Sequence, residues 1–379
     1  MKIIKNSHSG VGGIATESME MLRYVKKHPE HSLSLIHRDI NHEKYFKVNS
    51  ENTSTHYLIV TKNVTELLKG VRNIDDFYNK HIDKIKDMER IIEEEKPDVA
   101  LCSGSFYYPW FLMKAAENKK LPIFIRYAGI IEKEERKEIW HDLGKEFIKE
   151  GHRYIFPSEH SKKTIEEING KEIKNSCIVY NGVNDIFFKE SKRKSNGEFN
   201  VGFVGRLANV KNPEYMIKLS DELKKMGVIN KMTCVTDTKL FADPPKNIKN
   251  MVKKFYKRDI KIKSEMSKEE LSEFYRSIDV LVTPSHFETF GIVPLETIAT
   301  GTPAIINKTA GVKEVFYKLG LGEFVADFNN VEDVARKIEC IKREKIIITE
   351  DIREKVKKDY NWDTIIESCF KSIKEDMVN

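Results

Sequence analysis

Apolar residues in this chain fall into short runs separated by longer stretches of helical spacing. The runs at 1–4, 33–36, 57–60, 99–102, 123–126, 154–156 and 178–180 read as buried strands. Between them, apolar positions recur with helical period up to about Lys27 and over 75–95, 108–117, 132–149 and 161–168. Strand alternating with helix predicts a parallel sheet covered on both faces, an α/β architecture. The stretch 189–198 is polar throughout and marks a domain boundary. Beyond it the alternation restarts. Strands are expected at 200–204, 232–235, 280–284 and 302–306, with helices from Pro213 to about Met226 and over 269–277.

The chemistry concentrates in 285–306. Glu288 and Glu296 stand there with seven residues between them, and Thr289, Phe290 and Gly291 follow the first acid. Pro294 places a helix start near Ile292 or Val293, and Gly301 is its stop. The amides of Phe290, Gly291 and Ile292 then open a helix N-terminus, where an anion is stabilised. Either acid alone reads as a complement to the helix dipole or a solvated loop residue. A second loop, 205–213, carries Arg206 and Lys211 and ends in Asn212 and Pro213, an expected N-cap and first helical position. Near the start of the chain, Gly10, Gly12 and Ala15 fit a G-x-G-x-x-A dinucleotide fingerprint, with Asp39 in reach as the ribose acid. The five polar residues 5–9 separate the strand from Gly10, whereas the fingerprint turn follows its strand directly. Gly12 and Gly13 read instead as bare backbone that can approach a phosphate, or as a plain turn.

The string S-H-F-E-T-F-G-I-V-P-L-E…G-T-P resembles the signature of the retaining nucleotide-sugar glycosyltransferases with the GT-B fold, the glycosyl transferases group 1 family. Further matches are Gly12-Gly13, Pro97-Asp98-Val99, Ser158-Glu159-His160-Ser161, Asn181-Gly182-Val183-Asn184, the G-R-L…K-N loop and Thr309 to Glu314. The resemblance is strong over 202–314 and weaker before it. It implies two Rossmann-like domains with parallel sheets facing across a cleft: 1–188, completed by the C-terminal helix 362–379, on the acceptor side, and 189–361 on the donor side. It implies that Glu288 contacts the donor sugar and Glu296 the ribose. Arg206 and Lys211 would neutralise the diphosphate, a fixed cation pair suited to a leaving group that gains charge. Gly12, Gly13, Thr289, Phe290, Gly291 and Ile292 would lie against sugar and phosphate. The loop at Ser264, Glu265 and Met266 would read the base through its backbone, which leaves uracil and guanine undistinguished. Two departures stand out. Thr236-Asp237-Thr238 lacks the glycine usual at that turn, and Arg126-Tyr127-Ala128-Gly129 lacks the His or Asp many members carry there. His8, Ser103, Ser105 and Tyr127 are the candidates for that acceptor-side role.

Composition narrows the rest. The chain has 379 residues, 40% hydrophobic and 33% charged, enough for two ordinary domains. A net charge of +6 is compatible with anionic ligands or peripheral contact with a membrane surface and does not call for nucleic acid. The five cysteines are scattered, odd in number and never C-x-x-C, as expected of core thiols in a reducing compartment. Residues 1–4 read as a strand rather than a leader, and no apolar run reaches the ~18 residues of a membrane span, so a cytoplasmic protein is expected. No Asp-x-Asp occurs and the histidines show no paired metal spacing near Glu288, so no metal and no separate cofactor are expected. The expected reaction is transfer of a sugar from a UDP- or GDP-sugar to an acceptor hydroxyl, with the acceptor open among lipid-linked glycan, polysaccharide, protein and small molecule. The alternatives are a sugar-nucleotide epimerase or phosphorylase on the same fold, a non-catalytic nucleotide-sugar-binding relative, and a dinucleotide-dependent oxidoreductase using Gly10 to Gly12.

Overall fold

The computed structural model describes residues 1–7, 13–39, 46–51, 54–60, 64–104, 107–127, 138–189, 198–228, 231–237 and 246–378. The chain divides into two compact units, Met1–Tyr180 with Ile365–Asn379, and Asn181–Thr364.

The first unit is built on β1 (Lys2–Ser7), β2 (Ser32–Asp39), β3 (Phe46–Glu51), β4 (Ser54–Val60), β5 (Val99–Ser103), β6 (Ile123–Arg126), β7 (Arg153–Phe156) and β8 (Ser176–Ile178). They form one sheet in the order β3-β4-β2-β1-β5-β6-β7-β8. The central strands are short and apolar because helices cover both faces, so every residue of β5 is buried. Neighbours run parallel except for β3, which returns antiparallel on β4 as an edge hairpin. Sequence patterning did not predict β3, whose F-K-V-N-S-E is too polar to stand out. The expected single helix over 75–95 is two, Ile74–Lys80 and Ile82–Glu95, broken at His81. In the core, Phe77, Trp110 and Phe111 pack ring on ring.

The second unit carries β9 (Asn200–Val204), β10 (Lys231–Val235), β11 (Ile260–Lys263), β12 (Val280–Thr283), β13 (Ala304–Asn307) and β14 (Val325–Ala326), all parallel. Their order is β11-β10-β9-β12-β13-β14, so the winding reverses between β9 and β12. In an open α/β sheet a ligand site is expected outside the carboxyl ends of the strands at that reversal.

The division falls after Tyr180, ahead of the expected 188, because the residues that follow are already packed into the second unit. Ser272 Oγ donates to Ile186 O at 3.2 Å, and Arg276 and Arg353 donate to the carbonyls of Phe187 and Phe188. Gly182 lies so close to Trp362 that a Cβ would meet its Cα at 2.7 Å, which explains the glycine of Asn181-Gly182-Val183 and keeps Trp362 in this unit. Among the described residues, no helix is long and apolar enough to cross a membrane.

Candidate active site at the strand reversal of the second unit

The two loops at the β9/β12 reversal are the two the sequence singles out. After β9, Gly205 leads into a 3-10 turn, Asn209–Lys211. Asn212 is not the expected N-cap. It adopts a left-handed conformation (φ 48°) that closes the turn, and the following helix starts only at Tyr215. Asn tolerates this geometry better than most residues, and the bend brings Lys211 back toward the sheet. After β12, His286 N donates to Val210 O at 2.8 Å and joins this loop to the first.

Lys211 and Glu288 meet across the joint as an ion pair, Lys211 Nζ to Glu288 Oε1. Ser285 Oγ donates to the same oxygen at 2.8 Å. Ser285 is itself held, its carbonyl accepting from Asn307 Nδ2 (2.9 Å) and Thr309 Oγ1 (3.3 Å). Sequence reasoning missed Ser285, although a buried Ser three residues before the acid is the available signal. Arg206 is exposed and has no partner among the described residues. One cation of the expected clamp is therefore neutralised and the other open.

The helix Ile292–Ala299 begins as predicted. Its cap is Gly291, at φ 90° and ψ 85°, with no side-chain hydrogen bond. A Cβ there would only touch Glu288 at 3.5 Å, so the positive φ, not crowding, calls for glycine. Val312 N donates to Phe290 O at 2.7 Å and Gly311 N to Glu288 O at 3.1 Å, fixing the turn by its carbonyls. Among the described residues no acceptor meets the amides of Gly291 and Ile292, which are open to an outside one. Thr289 lies in the same turn.

Glu296 sits one turn into this helix and is half-buried. Burial pushes its carboxyl up to about 7, against the pull of a hydrogen bond from Tyr275 and the charge of Lys268. Tyr275 Oη donates to Oε2 at 3.2 Å. Sequence reasoning also missed Tyr275, since a tyrosine on an amphipathic helix reads as core. Glu265 and Met266 are half-buried in the loop between β11 and the helix Lys268–Ser277.

In the first unit, His8, Ser105 and Gly12, with the Gly10 fingerprint, lie outside the described residues, as does most of the polar stretch 189–198. Gly13 is the first, exposed residue of the helix Gly13–Lys27. Ser103 and Tyr127, two acceptor-side candidates, are buried in the unit's own packing. Asn6 holds the Ser103 backbone at both ends, accepting from its N–H (2.7 Å) and donating to its carbonyl (2.9 Å), while Ser103 Oγ donates to Glu17 at 3.3 Å. Tyr127 stacks on Phe156 with centroids 5.2 Å apart. Arg126, where a His or acid was looked for nearby, binds Glu17 and the carbonyls of Val179 and Tyr180. Glu17 also meets the fully buried Lys5, whose ammonium is lowered from its usual value by burial despite that partner. Among the described residues no cluster of His, Cys, Asp or Glu has metal-binding geometry.

Residues 184–359 match the family model of glycosyl transferases group 1. An uncharacterized glycosyltransferase of Methanocaldococcus jannaschii is 31% identical over 220 residues, 56% of this chain and 57% of its own length. The chain spans between about half and three-fifths of the length of the first curated relatives it matches. Sucrose-phosphate synthase from Thermosynechococcus elongatus superposes with a TM-score of 0.78 at 14% identity, covering 100% of this chain and 99% of that one. The Anabaena protein HepE, solved in complex with UDP-glucose, gives 0.72 at 14% identity, covering 99% and 100%.

Proposed function

We propose that this chain, which matches the glycosyl transferases group 1 family over residues 184–359 and has the GT-B fold, transfers a sugar, with retention, from a UDP- or GDP-sugar to an acceptor hydroxyl. The observation that carries this reading is the joint at the strand reversal. There Lys211, from the loop that also carries Arg206, meets Glu288 beside a helix N-terminus, the two loops being far apart in sequence.

Arg206 and Lys211 would bind the two phosphates and stabilise the charge that develops as the glycosidic bond breaks. The amides at Gly291 and Ile292 would add the partial positive charge of a helix end, roughly +0.5. Phosphate taking Lys211 would release Glu288, with Ser285 still holding one oxygen, to orient the sugar. Glu296 would accept from the ribose hydroxyls. The departing phosphate would take the acceptor's proton, so no covalent nucleophile on the protein is needed. Because protein groups offset the diphosphate, transfer is expected to persist in excess EDTA. UDP-glucose in the HepE complex supports a nucleotide-sugar donor. On this reading the protein acts in the cytoplasm, where it would meet its acceptor in solution or at a membrane surface.

Calorimetry with UDP, GDP and NAD tests the site. Binding of UDP or GDP, lost in Glu296→Ala and nearly unchanged in Glu288→Gln while donor turnover falls, is the expected pattern. Binding of NAD alone would overturn the reading. Equal loss of nucleotide in both variants would overturn the division of roles. Turnover with phosphate or water but with no sugar acceptor would point to the phosphorylase or epimerase alternative, and abolition by EDTA to a metal.

A further inference from the structure

Tyr275 is fully buried, yet its hydroxyl is the one group among the described residues that hydrogen-bonds the Glu296 carboxylate. A buried phenol normally finds a partner. Two other buried tyrosines, Tyr127 and Tyr215, leave their hydroxyls without one among the described residues, which shows that packing alone does not require it in this protein. Tyr275 is also held from several sides. Its carbonyl accepts from Thr302 Oγ1 at 2.8 Å, and its ring lies 5.8 Å from that of Phe187. Its helix starts at a capping box between Ser267 and Glu270, and the adjacent Arg276 is bonded to Ser272 and to the carbonyls of Phe187 and Lys189. The phenol is thus a fixed point beside Glu296.

We infer that Tyr275 is a positioning residue for nucleotide binding: its hydroxyl pins Oε2 of Glu296 and leaves Oε1, which has no partner among the described residues, for the vicinal hydroxyls of a ribose. This rests on Glu296 being the ribose anchor. Among the described residues, the charged and titratable groups around Glu296 are few. Tyr275 and Lys268 come from the helix Lys268–Ser277, and Arg353, from the helix Glu350–Tyr360, binds the carbonyl of Ala299 at the far end of the Glu296 helix. Burial beside the carboxylate raises the phenol well above its usual value, so it stays protonated and donates. A donated hydrogen bond favours the ionised carboxylate, so removing it raises the Glu296 carboxyl above about 7.

The test is calorimetric titration with UDP and GDP between pH 5.5 and 8.5 on wild type, Tyr275→Phe, Glu296→Gln and the double variant. Wild-type affinity is expected to rise through a midpoint near 7. Tyr275→Phe should move that midpoint up by about one pH unit, with an affinity loss of roughly tenfold at pH 6.5 that shrinks by pH 8.5. Glu296→Gln should be flat with pH, and Tyr275→Phe should add nothing to it. A loss independent of pH, or one that persists in the Gln background, would leave Tyr275 as core packing and overturn the inference. No binding of either nucleotide by wild type would overturn the ribose-anchor reading first. If Tyr275→Phe does not fold, 3-fluorotyrosine at position 275 gives the second measurement. Its fluorine resonance should titrate with the nucleotide-affinity midpoint, and a resonance indifferent to pH and nucleotide would refute the contact.

Discussion

Glu296→Gln is expected to stabilise the ligand-free protein at pH 8 while weakening nucleotide binding. Burial moves the Glu296 carboxyl from the ordinary 4.5 to about 7. The folded protein therefore holds this proton more tightly than the unfolded chain does. Stability falls as pH rises from about 4.5 to about 7 and is level above that. At about 1.4 kcal/mol per pH unit, the gap corresponds to about 3 kcal/mol. Glu296 keeps part of its surface in water, which shares in solvating the charge, so about 3 kcal/mol is a ceiling. Gln is neutral, nearly isosteric, and can still accept from Tyr275. The two proteins should match near pH 5, and the variant should lead by one to several degrees in melting temperature at pH 8, since ~1 kcal/mol moves a domain of this size by about 2–4 °C. Thermal unfolding followed across pH 5–8 reads this directly. A variant equal to or less stable than wild type at pH 8 would show that the carboxylate is not strained in the empty site.

Arg206→Ala and Lys211→Ala should each lower kcat/KM for donor more than tenfold, because one charge-assisted contact contributes ~1.5–3 kcal/mol, yet both should melt within a few degrees of wild type. Arg206 is exposed and unpaired among the described residues, and the Lys211–Glu288 pair keeps 25% and 20% of its side chains in solvent, where such pairs contribute about 1 kcal/mol or less. Glu17→Ala should do the reverse and destabilise the first unit by about 3–5 kcal/mol in denaturant titration, since it leaves the buried cations Lys5 and Arg126 without their anion.

The elements legible in the sequence were those whose signal is local. Pro294 and Gly301 bound a helix, which runs over Ile292–Ala299. The alternation of apolar runs gave both sheets, because central strands covered on two faces must be apolar. What the sequence hid depends on partners far along the chain. Asn212 looked like a cap because Pro213 follows it, but the 3-10 turn before it claims its backbone. Tyr275 acquires meaning only beside Glu296, 21 residues on. Lys5 and Arg126 lie in strands, and nothing local reveals that Glu17 lies between them.

The first unit is discontinuous, Met1–Tyr180 being joined by Ile365–Asn379. Phe370 packs on Tyr24 and His31, with centroids 5.6 and 4.6 Å apart. On the ribosome those contacts cannot form until the whole of Asn181–Thr364 has been made. At about 5–20 residues per second, that stretch takes roughly 10–40 s to synthesise. For that interval the face around Tyr24 lacks its Phe370 partner. The unit begun first is therefore the one completed last, after the second unit, continuous in sequence, has been made in full.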